Sequence, residues 1–352
     1  MTRTVLILGA GNTRALGCNK PMAKKPPLDA DFFEISRLGK VHVLSDVSDV
    51  LDDLVGEYST NLKQSLERAA TYLYLKAIDS PAGSPYHKGF VSFLRLLQIV
   101  LANTTNPLKV GKKSLLYRFL LSELKNAKKP ENLSIITFNY DLMVERALDE
   151  IASNNGNEIF QFPTCYRLKD ITSVTPINGQ PQFVNSGQPH QGVDILKLHG
   201  SMNWLSVHTS DEPKPRTLFA PNREVHVADS PMITWNLNWK RNKRKMYMKP
   251  IIVPPVSGKR GMMHRCFEKP WKLAGERLRR ADRIVVAGYS CPPLDIEARM
   301  LLSESFRKND SKKLYVIDPN AESAAKFVDI CGVDHCTIYS SIKAWVDDAK
   351  KI

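Results

Sequence analysis

Four short apolar runs, each ending abruptly on glycine or on a polar cluster, constrain this chain more than any other feature. They are Val5 to Leu8 before Gly9-Ala10-Gly11, Leu133 to Phe138 before Asn139-Tyr140-Asp141, Ile195 to Leu198 before His199-Gly200-Ser201, and Ile284 to Ala287 before Gly288-Tyr289-Ser290. Runs this short, without polar alternation, are buried on both faces, as strands of a parallel sheet are. Polar residues gathered at the ends of such strands make one ligand site along the carboxyl edge of the sheet. The expected fold class is therefore α/β, a Rossmann-like parallel sheet with a nucleotide site at that edge.

The motifs differ in what they offer. Gly9 and Gly11 let a backbone approach a phosphate closely, and the helix that follows would add its dipole. Gly17 and Pro21 then break the chain into a loop that could fold over a ligand. His199 leaves a buried run directly into Gly200, which places an imidazole at the sheet edge, where its proton affinity is useful near neutral pH. A fifth run, Lys313 to Ile317, ends on Asp318 with Asn320 close behind. Either residue suits a ribose hydroxyl, and either suits the turn into the next helix.

Between these runs the chain changes character twice. Residues 24–130 carry helical spacing, as in Leu66, Ala69, Ala70, Leu73 and Ala77, with candidate helices over 47–58, 62–78, 90–101 and 114–127. This stretch reads as an all-helical insertion in a discontinuous α/β domain made of residues 1–23 and 131–352. Residues 206–248 are polar and read as an irregular basic insertion. It holds Trp235 and Trp239 and the run Lys240-Arg241-Asn242-Lys243-Arg244-Lys245.

The formal net charge of +14 favours an anionic partner: a nucleotide, nucleic acid or an acidic protein surface. No apolar stretch is long enough for a signal peptide or a membrane span, which points to a cytoplasmic protein. The six cysteines include no Cys-x-x-Cys pair, so no zinc ribbon and no metal are expected. Cys331, His335 and Cys336 form the one compact group of metal-capable residues, and reduced structural thiols are the reading preferred for the cysteines.

Five of these motifs in order resemble the sirtuin superfamily: Gly9-Ala10-Gly11, Thr137-Phe138-Asn139-Tyr140-Asp141, Leu198-His199-Gly200-Ser201, Gly288-Tyr289-Ser290 and Ile317-Asp318-Pro319-Asn320. The C-terminal part, with Pro254-Pro255, Trp271 and Asp295, is similar to a bacterial sirtuin-like branch of NAD-depleting anti-phage effectors. The resemblance spans about residues 1–22 and 131–340. Two departures set the chain apart from deacylating sirtuins. It lacks their four-cysteine zinc ribbon, and it has Phe138-Asn139-Tyr140-Asp141 where they usually have Gln-Asn-Ile-Asp.

The resemblance implies that NAD is the substrate and that the chain is an NAD+ glycohydrolase releasing nicotinamide and ADP-ribose. Asn139 would hold a ribose hydroxyl and a water, and His199 would serve as base. Asp141 would orient one of these groups or cap its own helix. Ala10 and the amides of Gly9 and Gly11 would cradle the pyrophosphate, with Asn12 and Thr13 as side-chain donors, and Gly288 and Ser290 would face the nucleotide. Asp318 and Asn320 would hold the adenosine ribose. A protein deacylase, an ADP-ribosyltransferase and a non-enzymatic NAD or ADP-ribose binding module are the alternatives. A homo-oligomer, or a partner protein such as a DNA-translocating ATPase of a defence complex, is the expected form of control. Nucleic acid is the second candidate for the basic run.

Overall fold

The structure is a computed structural model that describes residues 2–52, 61–81, 83–168, 172–177, 180–185, 192–209, 224–229, 238–241, 244–253, 265–293, 295–306, 312–334 and 336–349. Among the described residues, twelve strands fall into two sheets. The first is formed by β1 (Thr4–Leu8), β2 (Leu133–Thr137), β5 (Asp194–Lys197), β10 (Arg283–Ala287), β11 (Lys313–Ile317) and β12 (Thr337–Tyr339). The second is formed by β3 (Thr172–Ile177), β4 (Gln180–Asn185), β6 (Gly200–His208), β7 (His226–Ala228), β8 (Asn238–Arg241) and β9 (Arg244–Ile252).

All pairings in the first sheet are parallel, and its order is β5-β2-β1-β10-β11-β12. Counted among themselves, these strands run 3-2-1-4-5-6, the doubly wound Rossmann order. The chain therefore reverses its direction of winding between β1 and β10, and ligands of such sheets bind in the crevice outside that point. Register aligns the strand ends: Leu8 pairs with both Thr137 and Ala287, Thr137 with Lys197, and Ala287 with Ile317. Gly9, Phe138, Leu198, Gly288 and Asp318 thus leave the sheet from one row.

The helices are α1 (Ala10–Leu16), α2 (Phe32–Leu38), α3 (Leu44–Asp52), α4 (Leu66–Ile78), α5 (Pro85–Thr105), α6 (Leu115–Ala127), α7 (Met143–Asn155), α8 (Glu268–Arg280), α9 (Ile296–Ser305), α10 (Ala321–Cys331) and α11 (Ile342–Ala349). Side chains alternate across a strand, so each run feeds two cores. Leu6, Leu8, Ile135, Ile195 and Val285 pack with α6, α7 and α11, whereas Val5, Ile7, Ile136, Leu196 and Val286 pack with α8, α9 and α10. Burial on both faces is the reason the runs carry no polar alternation.

The helices expected between residues 24 and 130 are present where the chain is described. Ser65, Ser84 and Ser114 start α4, α5 and α6 by accepting the amides of Arg68, His87 and Tyr117, and Pro85 occupies the first turn of α5. Residues of α2 to α5 share a core of their own, which also takes in Tyr140, Leu142, Met202 and Ile252. The helix α6 behaves differently. Its Leu116, Phe119, Leu120 and Leu124 pack into the core of the parallel sheet, so it belongs with the α/β layers and not with the helical group. Its apolar spacing announces a buried face without saying what lies against it.

The polar stretch over residues 206–248 is not irregular where it is described. The second sheet has the order β4-β3-β7-β6-β9-β8 and is antiparallel except between β3 and β7. Its strands are hard to read because much of their surface is solvated; Gln180 and Phe183 to Asn185, for example, are exposed. Lys240 stands opposite Lys245 in the β8–β9 ladder, a like-charge pair on an edge strand, where cations oppose pairing with another sheet. Lys243, Trp235, Pro254-Pro255 and His335 lie outside the described residues. No helix among the described residues is long and apolar enough to cross a membrane.

Candidate active site at the carboxyl edge

Where the winding reverses, the turns after β1 and β10 are pressed together. Gly9 donates its amide to the Ala287 carbonyl (3.1 Å) and Gly11 donates to the Gly288 carbonyl (2.9 Å). Gly288 has φ +62°, and a Cβ there would stand 2.2 Å from the Asn12 nitrogen. The glycines serve this backbone contact first. The amides of Gly9 and Gly11, expected to cradle a pyrophosphate, are committed to carbonyls, and Ala10 is exposed between them.

The turn after β2 lies against the same place. Asn139 gives its carboxamide hydrogens to the Gly9 carbonyl (3.0 Å) and to Thr13 Oγ1 (3.3 Å). Thr13 in turn donates to Asp141 Oδ2 (2.9 Å), and Asp141 Oδ1 accepts the Met143 amide (3.0 Å), which starts α7. Both donors of Asn139 are thereby used inside the protein, and Oδ1 is the atom left to accept from a ligand or water. Asn12 is 1% exposed, and neither its oxygen nor its nitrogen has a partner. A buried carboxamide with all its hydrogen bonds unmade costs stability unless something binds it.

Burial holds the Asp141 carboxyl above its ordinary range, against the opposing pull of Lys197, the Met143 amide and the Thr13 hydroxyl. A raised carboxyl contributes stability while protonated and loses it as pH rises through its folded pKa. Asp141→Asn keeps an oxygen for the Met143 amide and removes the charge. The variant should therefore melt higher than wild type at pH about 7.5, with the difference closing near pH about 4, as thermal melting across pH will show.

His199 lies between the sheets. Leu198 and His199 join β5 to β6, Val253 donates its amide to the His199 carbonyl (2.8 Å), and Trp271 donates to the Leu198 carbonyl (3.1 Å). Gly200 has φ +85°, and a Cβ there would stand 2.2 Å from the Ile251 carbonyl oxygen, so β6 can begin only with glycine. The His199 side chain is 6% exposed, with Nε2 3.5 Å from Asp295 Oδ2. Tyr289 donates to the same oxygen (2.9 Å). Phe138 fills the space between, edge-on to His199 with ring centres 5.0 Å apart and stacked on Tyr289 at 4.3 Å.

Burial, and then the charge of Asp295, push up the Tyr289 hydroxyl and the neighbouring Cys291 thiol, the latter to about 11. Both stay protonated at neutral pH, so Tyr289 remains a donor to Asp295 and Cys291 is no thiolate nucleophile. Asp295, Tyr289 and Phe138 are the residues that sequence reasoning did not assign to the site. Asp295 entered the sequence reading through the resemblance of the C-terminal part, with no role in the site attached to it.

Beneath the Asn139 turn, Lys197 and Glu145 form a buried ion pair (3.0 Å; side chains 1% and 0% exposed). The Lys197 ammonium also donates to the Asp141 carbonyl, and Tyr166 donates to Glu145 (2.9 Å). The remaining expected residues are less engaged with this cluster. Ser290 is exposed and its carbonyl accepts Lys326 (3.1 Å). Asp318 accepts the Asn320 amide (2.8 Å) and Asn320 caps α10 through the Glu322 amide (2.9 Å), so both perform the turn role. Among the described residues no group of three or more His, Cys, Asp or Glu side chains could hold a metal.

No protein-family model and no curated protein matches the chain. Solved structures of Sir2 homologues do. A variant in complex with 2'-O-acetyl ADP ribose matches at 13% identity, covering 100% of this chain and 93% of that one, with a TM-score of 0.47. A Sir2 homologue–NAD complex matches at 12% identity over 99% and 89%, with a TM-score of 0.47. Sir2Tm bound to a propionylated peptide matches at 14% identity over 99% and 90%, with a TM-score of 0.41. The ligands belong to those proteins, and the fold of this one rests on its own strand order and register.

Proposed function

We propose that this chain is a sirtuin-like NAD+ glycohydrolase that cleaves NAD+ to nicotinamide and ADP-ribose and serves as an NAD-depleting effector in anti-phage defence. One observation carries the reading: Asn139, His199 and the Asp295 carboxylate collect at the carboxyl edge of a Rossmann sheet, beside the point where its winding reverses. A dinucleotide would lie across that point, with the unpaired carboxamide of Asn12 as one contact.

The reaction asks little covalent chemistry of the protein. The bond from the ribose anomeric carbon to the nicotinamide nitrogen breaks, and its electron pair leaves with nicotinamide. Positive charge builds on the ribose as in other glycoside hydrolyses. Water adds to the anomeric carbon, and its proton passes to His199 and then to solvent. Asn139 Oδ1 accepts from a ribose hydroxyl or from that water. Asp295, on Nε2, fixes the ring and steadies the charge it takes on, as an orienting carboxylate does for other catalytic histidines. Phe138 and Tyr289 keep bulk water from the far side of the ring. The buried, protonated Cys291 has no part in this scheme.

Incubating the purified protein with NAD+ and weighing the products by mass spectrometry tests this. Free ADP-ribose and nicotinamide in equal amounts are expected, with no acyl donor and no protein acceptor required. O-acyl ADP-ribose formed only with an acylated peptide would make the chain a deacylase. ADP-ribose attached to protein would make it a transferase, and binding without turnover would make it a sensor module.

A further inference from the structure

At the opposite edge of the parallel sheet, where β1 and β2 begin, lies a concave pocket of about 390 Å³. Its rim carries Arg3, Arg277 and Arg280 against one carboxylate, Glu131, and Thr4 and Ser134 line it from the first residues of the two strands. Five-residue strands separate this edge from the other by about 16 Å, so the pocket is distinct from the site above. Both threonine and serine are buried, at 1% and 3% exposure, and the Thr4 hydroxyl has no hydrogen-bond partner. Strand positions flanked by Val5 and Leu133 would otherwise be apolar, and an unpaired buried hydroxyl costs stability that a valine of the same shape would not.

The cations are not fully spent within the fold. Arg277 binds Asp194 (2.8 and 3.0 Å), but Arg167 binds the same carboxylate (2.8 Å), so one negative charge serves two guanidinium groups. Arg3 gives one hydrogen to the Arg280 carbonyl at the end of α8 (3.5 Å). Basic residues in the last turn of a helix favour its dipole, which accounts for Arg277 and Arg280 but not for Arg3 or the Thr4 hydroxyl. Three arginines lining one pocket together with a hydroxyl fit a tetrahedral oxyanion, which takes several donors at once.

We propose that this pocket binds the phosphate group of a small phosphorylated molecule, held by Arg3, Arg277 and Arg280 with Thr4 at its base. The proposal is independent of the NAD+ reading. It is tested by thermal melting of the full chain titrated with inorganic phosphate, against sodium chloride at matched ionic strength. Wild type should show a saturable, phosphate-specific rise in melting temperature. Arg280→Ser and Thr4→Val should each weaken it about tenfold or more, as loss of a hydrogen bond to a charged group does. Thr4→Val should in addition melt no lower than wild type without phosphate, which separates lost binding from lost folding. No phosphate-specific rise, or a rise that survives either substitution unchanged, overturns the proposal.

Discussion

Replacing His199 by alanine is expected to lower NAD+ turnover by about 100-fold or more, the contribution of a positioned acid–base group. The fold should survive. The backbone links that place this residue, from Val253 to its carbonyl and from Trp271 to that of Leu198, do not involve the imidazole. What alanine removes is the proton acceptor and the group beside Asp295 and Phe138. Asp295→Asn separates two roles. It keeps an oxygen for the Tyr289 hydroxyl and removes only the charge, so kcat should fall by less than in His199→Ala, with KM little changed. If His199→Ala keeps more than about a tenth of wild-type turnover, the base lies elsewhere.

The second large effect is on stability. Glu145→Gln leaves the Lys197 ammonium buried without its counter-charge, which should cost about 3–5 kcal/mol. Domains are stable by only about 5–15 kcal/mol, so denaturant unfolding should show a large drop in midpoint. Adding Lys197→Met should restore much of it, because buried ion pairs replaced on both sides are often close to neutral. Activity should not return with stability. Lys197 also donates to the Asp141 carbonyl, and without that donor the turn carrying Asn139 loses its support from below. A single variant as stable as wild type would mean that the pair is solvated. A double variant with full activity would mean that the turn needs no such support.

Much of this was readable from residues alone. The parallel strands were legible because both faces are buried, which leaves short apolar runs with their punctuation intact, and four of those punctuation marks lie along one edge. The existence of α4, α5 and α6 was legible through their helical spacing, but α4 starts four residues later and α5 five residues earlier than that spacing suggested, because serine caps at Ser65 and Ser84 set the starts. Three features were not legible. Lys197 reads as the polar end of the run Asp194-Ile195-Leu196-Lys197, and nothing local reveals a carboxylate 52 residues away that takes its charge into the core. Asp295 reaches His199 only because the crossing of β10 past β1 brings their loops together, and that pairing is a property of topology. The second sheet hides in polar sequence because an antiparallel sheet can leave one face in water, so its strands resemble loops.

The central claim is that separate strand ends form one nucleotide site, and hydrogen–deuterium exchange with and without ADP-ribose tests it most directly. Protection should appear together in the segments containing residues 9–13, 139–141, 198–202 and 288–291, with one dependence on ADP-ribose concentration. The strands of the second sheet beyond Met202 should exchange unchanged. Protection confined to one of these segments, or found only outside them, would contradict the account.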